Sequence, residues 1–99
     1  MELFQAEWCP HSHRVRQRLT ELGLDFIARQ VAADPDERDE MLVRTGTNEI
    51  PVLVTNDDEV LEGDDEILEY LDGHEERPDA GAHRAKARKE VPTFEEVAR

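Results

Sequence analysis

Cysteine occurs once in this 99-residue chain, as Cys9. A single thiol cannot close an internal disulfide, so no such cross-link supports the fold, and any redox chemistry needs a sulfur from another molecule. Aromatic residues are scarce as well, three Phe with one Trp and one Tyr, which leaves the core to aliphatic side chains. No apolar run approaches the roughly 18 residues that span a bilayer, and the N-terminus lacks the basic and apolar regions of a secretory signal. A soluble, cytoplasmic chain is expected, with no membrane partner. Lysine is nearly missing: Lys86 and Lys89 are the only two among 12 basic residues.

The shortage of positive charge faces an excess of negative charge, 25 acidic residues and a formal net charge of −13. Such self-repulsion destabilises a compact state in dilute buffer and is tolerated where salt screens it. The acids are dispersed over helices and loops, not gathered into one tail. The pattern therefore predicts adaptation to concentrated salt and a halophilic source, such as a halophilic archaeon. It argues against a nucleic-acid partner, because phosphate recognition needs a basic patch. The charge is also uneven. Residues 1–33 hold four acids (Glu2, Glu7, Glu21, Asp25) against Arg14, Arg16, Arg18 and Arg29, whereas residues 34–79 hold 18 acids against Arg38, Arg44 and Arg77. The cysteine end is the least negative part, which suits a thiolate or an anionic thiol.

The order of elements can be read from local signals. Glu2–Ala6 reads as a short strand. Pro10 suits the first position of a helix, where its missing N–H would have had no partner. That helix runs to about Leu22 with Ser12, Val15, Leu19 and Leu22 on one face, and Gly23 stops it. Arg14, Arg16 and Arg18 spread around it and read as a solvated face. Asp25–Val31 is a second strand, its bulk from Phe26, Ile27 and Val31, parallel to the first across a strand–helix–strand unit. Asp34-Pro35-Asp36-Glu37 opens a second helix with a capping box. Met41 and Leu42 give that helix a thin apolar face, and Gly46 ends it. Pro51–Thr55 and Glu59–Leu61 flank the turn Asn56-Asp57-Asp58 as a hairpin. Gly63-Asp64-Asp65 opens a last core helix with Ile67, Leu68 and Leu71 inward. Residues 1–73 form one domain in this reading. Residues 74–99 form a polar C-terminal tail, mobile or lightly docked, with a possible helix over Ala80–Glu90.

Cys9-Pro10-His11-Ser12 carries the chemistry. A thiol at a helix N-terminus meets unpaired backbone N–H groups and the positive end of the helix dipole, and both favour the thiolate. Ser12 stands one turn on, where a second thiol would resolve a disulfide. A hydroxyl donates a hydrogen bond to a thiolate but forms no disulfide, so a monothiol route is expected. His11 and His13 flank the site, and protonation of either would favour the thiolate. Cys9, His11 and His13 alternate, but on a helix i and i+2 diverge by about 200°, so no metal site is expected there. Trp8 is placed to shield the sulfur.

These segments together resemble the glutaredoxins, and residues 1–73 are also similar to the N-terminal domain of glutathione S-transferases. Cys9-Pro10-His11-Ser12 resembles the Cys-Pro-x-Cys/Ser motif of glutaredoxins, and Ile50-Pro51 the apolar-residue–cis-proline pair of the superfamily. Gly63-Asp64-Asp65 resembles the segment that receives the γ-glutamyl end of glutathione, and Ile67-Leu68-Glu69-Tyr70-Leu71 a transferase helix. The resemblance implies an α/β thioredoxin-like fold, β-α-β-α-β-β-α, with a four-stranded mixed sheet flanked by helices. It implies a thiol-disulfide oxidoreductase that works through Cys9 with a low-molecular-weight thiol, glutathione or γ-glutamylcysteine, on disulfide-bearing proteins, as a monomer and without a metal. Pro51 and Ile50 would meet a peptide-like substrate. The N–H groups of Asp64 and Asp65 would hold the γ-glutamyl carboxylate and an Asp side chain its ammonium. Glutaredoxins usually carry a basic residue shortly before the cysteine, for the glycine carboxylate. Glu7 and Trp8 stand there in this chain, with Arg44 as a possible substitute, which favours a γ-glutamyl thiol without the glycine. A transferase would need a large helical second domain, which residues 74–99 cannot supply. Two non-enzymatic alternatives are an iron–sulfur carrier, which Pro10 in place of the glycine of Cys-Gly-Phe-Ser argues against, and a redox-inactive binding module.

Overall fold

Leu3 and Phe4 are neighbours on strand β1 (Glu2–Gln5) and so project to opposite faces of the sheet. Each seeds one half of the core. Leu3 joins Val15, Leu19, Leu22, Leu53, Ile67 and Leu71 on one side, while Phe4 joins Met41, Val52 and Val54 on the other. Every fully buried aliphatic side chain of this kind contributes about 1.5–3 kcal/mol of burial free energy. The computed structural model describes residues 1–74, Pro78 and residues 80–89.

The remaining elements are helix α1 (Pro10–Leu22), strand β2 (Ile27–Gln30), a 3-10 turn at Pro35–Glu37, helix α2 (Asp39–Thr45), strands β3 (Val52–Val54) and β4 (Val60–Glu62), helix α3 (Asp64–Asp72) and helix α4 (Ala80–Lys89). The strands lie in the order β2-β1-β3-β4. β1 and β2 are parallel, with Leu3 beside Ala28. β1 and β3 are antiparallel, with Leu3 opposite Leu53, and β4 returns antiparallel to β3. The sheet is therefore mixed, with α1 and α3 on the Leu3 face. Ser12, Val15, Leu19 and Leu22 of α1 are buried, as their spacing predicts. Gly23 ends the helix in the left-handed conformation (φ 71°), its N–H turned back to the Leu19 and Thr20 carbonyls.

Three local expectations need correction. Asp34 does cap, accepting from the Asp36 N–H at 2.9 Å, but the turn it starts stops at Glu37. Arg38 (φ −95°, ψ 47°) breaks the run, so α2 begins only at Asp39. The reason is tertiary, since the nearly buried Arg38 side chain donates to the Ala32, Ala33 and Asn48 carbonyls. Leu42 is exposed, leaving Met41 as the buried residue of α2. Strand β2 is shorter than its apolar pattern implies, and Ile27 faces solvent while Phe26 and Val31 pack against the core.

Helix α4 lies along α1 without an apolar stripe. Ala80 is buried at its start, and Arg88 donates to the Glu21 carboxylate at 2.8 Å. The rest of the expected tail, including residues 90–99, lies outside the described residues. Among the described residues no helix is long and apolar enough to cross a membrane.

Candidate active site

The sheet topology brings three segments to one end. β1 runs up to the loop that carries Cys9. β3 is antiparallel to it, so its start, at Pro51, lies at that same end, and so does the end of β4, which leads through Gly63 into Asp64. The Gly63 N–H donates to the Pro51 carbonyl at 2.9 Å, tying the last two segments together. The Ile50–Pro51 bond is cis. Pro51 is buried, and Ile50 packs against the Phe4 side of the core.

Cys9 is the N-cap residue of α1, with an extended backbone (φ −80°, ψ 121°) and Pro10 at the first helical position. It is only 7% exposed, which opposes the charged form. That burial is outweighed by the Ser12 N–H, the Ser12 hydroxyl, the His11 N–H and the charge of Arg16, so the thiol is held below its ordinary value. Ser12 is fully buried, and its Oγ also accepts from the Ala6 N–H at 3.4 Å.

The other candidates divide. His11 and Asp64 meet: Nδ1 of His11 lies 2.9 Å from Asp64 Oδ2. Arg14 donates to the same oxygen at 2.6 Å. The bond from His11, against some burial and helped by Arg14, holds the Asp64 carboxyl below its usual value. Asp65 is almost wholly in solvent and, among the described residues, reaches only Arg14, at 3.6 Å. Trp8 is 65% exposed, a free indole surface beside the buried cysteine rather than a cover over it.

The arginines of α1 are not a solvated face. Arg14 spans to Asp64, and Arg18 bridges Glu21 and Asp72 at 3.3 Å each. Arg16 is mostly covered, donating to the Gln5 side chain and to the Ala6 and Glu7 carbonyls at 3.3 Å. Its role near Cys9 has a sequence signal: seven residues is two helical turns, and helical side chains lean toward the N-terminus. Gln5, wholly buried at the end of β1, carries no such signal. Arg44 does not serve this end of the sheet. It pairs with Glu2 and Asp58 at 3.4 Å, and Glu2 is at the far end of β1. A groove of about 500 Å³ between β2 and α2 is lined by residues such as Phe4, Val31, Arg38 and Met41. Neither Cys9 nor Asp64 lines it. Among the described residues no three His, Cys, Asp or Glu side chains gather as a metal ion would require.

A mixed four-stranded sheet, with a cysteine capping the first helix and a cis-proline opening the third strand, defines a protein of the thioredoxin-like fold. Residues 1–60 match the family model described as Glutaredoxin. The chain belongs to the glutaredoxin family. Glutaredoxin 3 of Escherichia coli strain K12 is 28% identical over 53 residues, 54% of this chain and 64% of that protein, so the match spans less than two thirds of that relative. Among solved structures, a glutathione S-transferase from Rhodospirillum rubrum F11 superposes with a TM-score of 0.64 and 29% identity, over 89% of this chain and 41% of that one. Another, from Methylobacillus flagellatus with glutathione bound, superposes with a TM-score of 0.63 and 26% identity, over 89% and 45%.

Proposed function

We propose that this chain is a monothiol glutaredoxin that reduces mixed disulfides through Cys9 with a γ-glutamyl thiol as co-substrate. The observation that carries the reading is the N-cap position of Cys9, whose thiol is held low by Ser12 and by the His11 N–H against its own burial. The Cys9 thiolate attacks the γ-glutamyl sulfur of a mixed disulfide. The S–S bond breaks, the protein substrate leaves as a thiolate and takes up a proton, and Cys9 carries the adduct. A second γ-glutamyl thiolate attacks that adduct, regenerating the Cys9 thiolate and releasing an oxidised thiol dimer. Ser12 supports the thiolate and, lacking sulfur, commits the protein to this external second thiol. Pro51 and Ile50 face the extended backbone of the substrate, and Asp64 and Asp65 open the helix that receives its γ-glutamyl end.

Glutathione bound in a transferase of similar fold supports a γ-glutamyl ligand. The choice between thiols follows from charge. Glu7 precedes the cysteine, Arg16 is within 3.7 Å of Glu7, and Arg44 is engaged at the other end of the sheet. Neither arginine is thus offered to a glycine carboxylate, which favours γ-glutamylcysteine over glutathione. The excess of acid supports work in concentrated salt, as in the cytoplasm of a halophile, and the chain is proposed to act as a monomer.

The test is intact mass after mixing the protein, in concentrated potassium chloride, with the oxidised dimer of either thiol, and with Cys9→Ser as control. A single adduct on Cys9, formed faster from γ-glutamylcysteine and released by the reduced thiol, is expected. An adduct only after denaturation would end the enzymatic reading. Equal rates with both thiols would remove the preference.

A further inference from the structure

Asp64 takes both bonds that α1 sends across the site on a single atom. His11 Nδ1 and an Arg14 guanidinium nitrogen each reach Oδ2, at 2.9 and 2.6 Å. An ionised carboxylate only accepts, so the proton of the His11–Asp64 bond lies on His11 Nδ1. Oδ1 has no partner among the described residues, and the side chain retains 14% of its exposure. One carboxylate oxygen is therefore anchored, and the other is left without a partner among the described residues. His11 does this with its ring while its backbone N–H serves the Cys9 sulfur. One residue thus links the nucleophile to the start of α3.

We infer that His11 and Arg14 are specificity-determining positioning residues: they clamp Asp64 through Oδ2 so that Oδ1 faces the ammonium group of an α-amino-acid headgroup. The inference rests on the thiol-exchange reading above and adds to it the two side chains that orient the carboxylate. Arg14, half exposed, also places a positive charge beside Asp64 that matches the carboxylate of the same zwitterion. Removal of either clamp frees the Asp64 rotamer, so the headgroup loses a preset partner. The backbone donors to Cys9 survive a side-chain substitution at position 11. The readout is the ratio of rates with a charged and an uncharged substrate, in which any change in the reactivity of the thiol itself cancels.

The experiment compares two disulfides in concentrated potassium chloride: oxidised γ-glutamylcysteine, which carries the headgroup, and hydroxyethyl disulfide, which carries no charge. The rate of Cys9 adduct formation is followed by intact mass for the unaltered protein and for His11→Phe, Arg14→Met and His11→Gln. His11→Phe and Arg14→Met are expected to lower the preference for the γ-glutamyl disulfide by about tenfold, the size of one charge-assisted hydrogen bond. His11→Gln, whose amide can still donate to Oδ2, should recover part of it. A preference that stays within about twofold of the unaltered protein in both His11→Phe and Arg14→Met overturns the inference. So does an unaltered protein that reacts with hydroxyethyl disulfide alone, although thiol exchange itself then stands. An unaltered protein that reacts with neither disulfide overturns the thiol-exchange reading and the inference with it.

Discussion

The Ser12 hydroxyl accepts a hydrogen bond from the Ala6 N–H at 3.4 Å, across the loop that holds Cys9. A hydroxyl has one proton and two lone pairs. With a lone pair committed to Ala6, the proton remains available to the sulfur, and a bond from the Ser12 hydroxyl favours the thiolate. The residue in the position of a resolving thiol is thus a structural part of the nucleophile's environment.

Ser12→Ala removes that donor and leaves the Ala6 N–H without its partner. Loss of a bond to the charged form raises a thiol's pKa. The pH profile of Cys9 alkylation by iodoacetamide is therefore expected to shift upward, with slower alkylation at neutral pH. Stability should fall by about 1 kcal/mol. An unshifted profile would show that the hydroxyl does not act on the sulfur.

Glu21, nearly buried on α1, resists burial through Arg88 first and Arg18 second, and the net result is a carboxyl held below its usual value. A group with a lowered folded pKa contributes stability above its unfolded pKa and loses it as the pH falls through the folded one. Stability should thus decline in acid, from about pH 4.5 downward for this group. Glu21→Gln should flatten that part of the pH–stability curve, measured by urea unfolding at constant salt. Arg88→Ala should lower the midpoint at neutral pH and leave a smaller difference in acid.

Arg38 donates to three carbonyls, at 2.7 Å to Ala32, 2.9 Å to Asn48 and 3.2 Å to Ala33, joining the loop after β2 to the loop before Pro51. Lysine cannot reproduce this planar fork. Arg38→Lys is expected to cost about 1–3 kcal/mol in chemical denaturation, since at least one nearly buried acceptor loses its donor. A cost near zero would mean that water replaces the guanidinium freely.

Net charge sets the salt dependence. At −13, the folded chain repels itself, and the screening length drops from about 10 Å at 0.1 M salt to about 3 Å at 1 M. The melting temperature should rise steadily with potassium chloride over this range. A flat response would remove the basis for a halophilic source.

Local signals were enough for most of the fold. Pro10 and Gly23 bound α1, four apolar or small residues at helical spacing mark its buried face, and Asn56-Asp57-Asp58 separates two apolar runs that pair as β3 and β4. The break at Arg38 was not legible, because its cause is a set of carbonyls brought together from separate loops. Cys9 and Ser12 could be picked out as candidates because each depends on its nearest neighbours, a helix start and one turn of helix, whereas the cis bond at Pro51 was implied only by the family resemblance.

What the amino-acid sequence determined by itself was therefore whatever acts within a turn or two of chain: the elements, the thiol at a helix start, the hydroxyl one turn on and the excess of acid. The partners of the arginines were decided only by the tertiary structure. Arg14 meets Asp64 across 50 residues of chain and Arg88 meets Glu21 across 67, whereas Arg44 turns to Glu2 and away from the site. A guanidinium on a long, flexible stem can pair with any of 25 acids. Which one it finds depends on where the packed sheet and helices place the two ends, and that is a property of the folded core rather than of any local pattern.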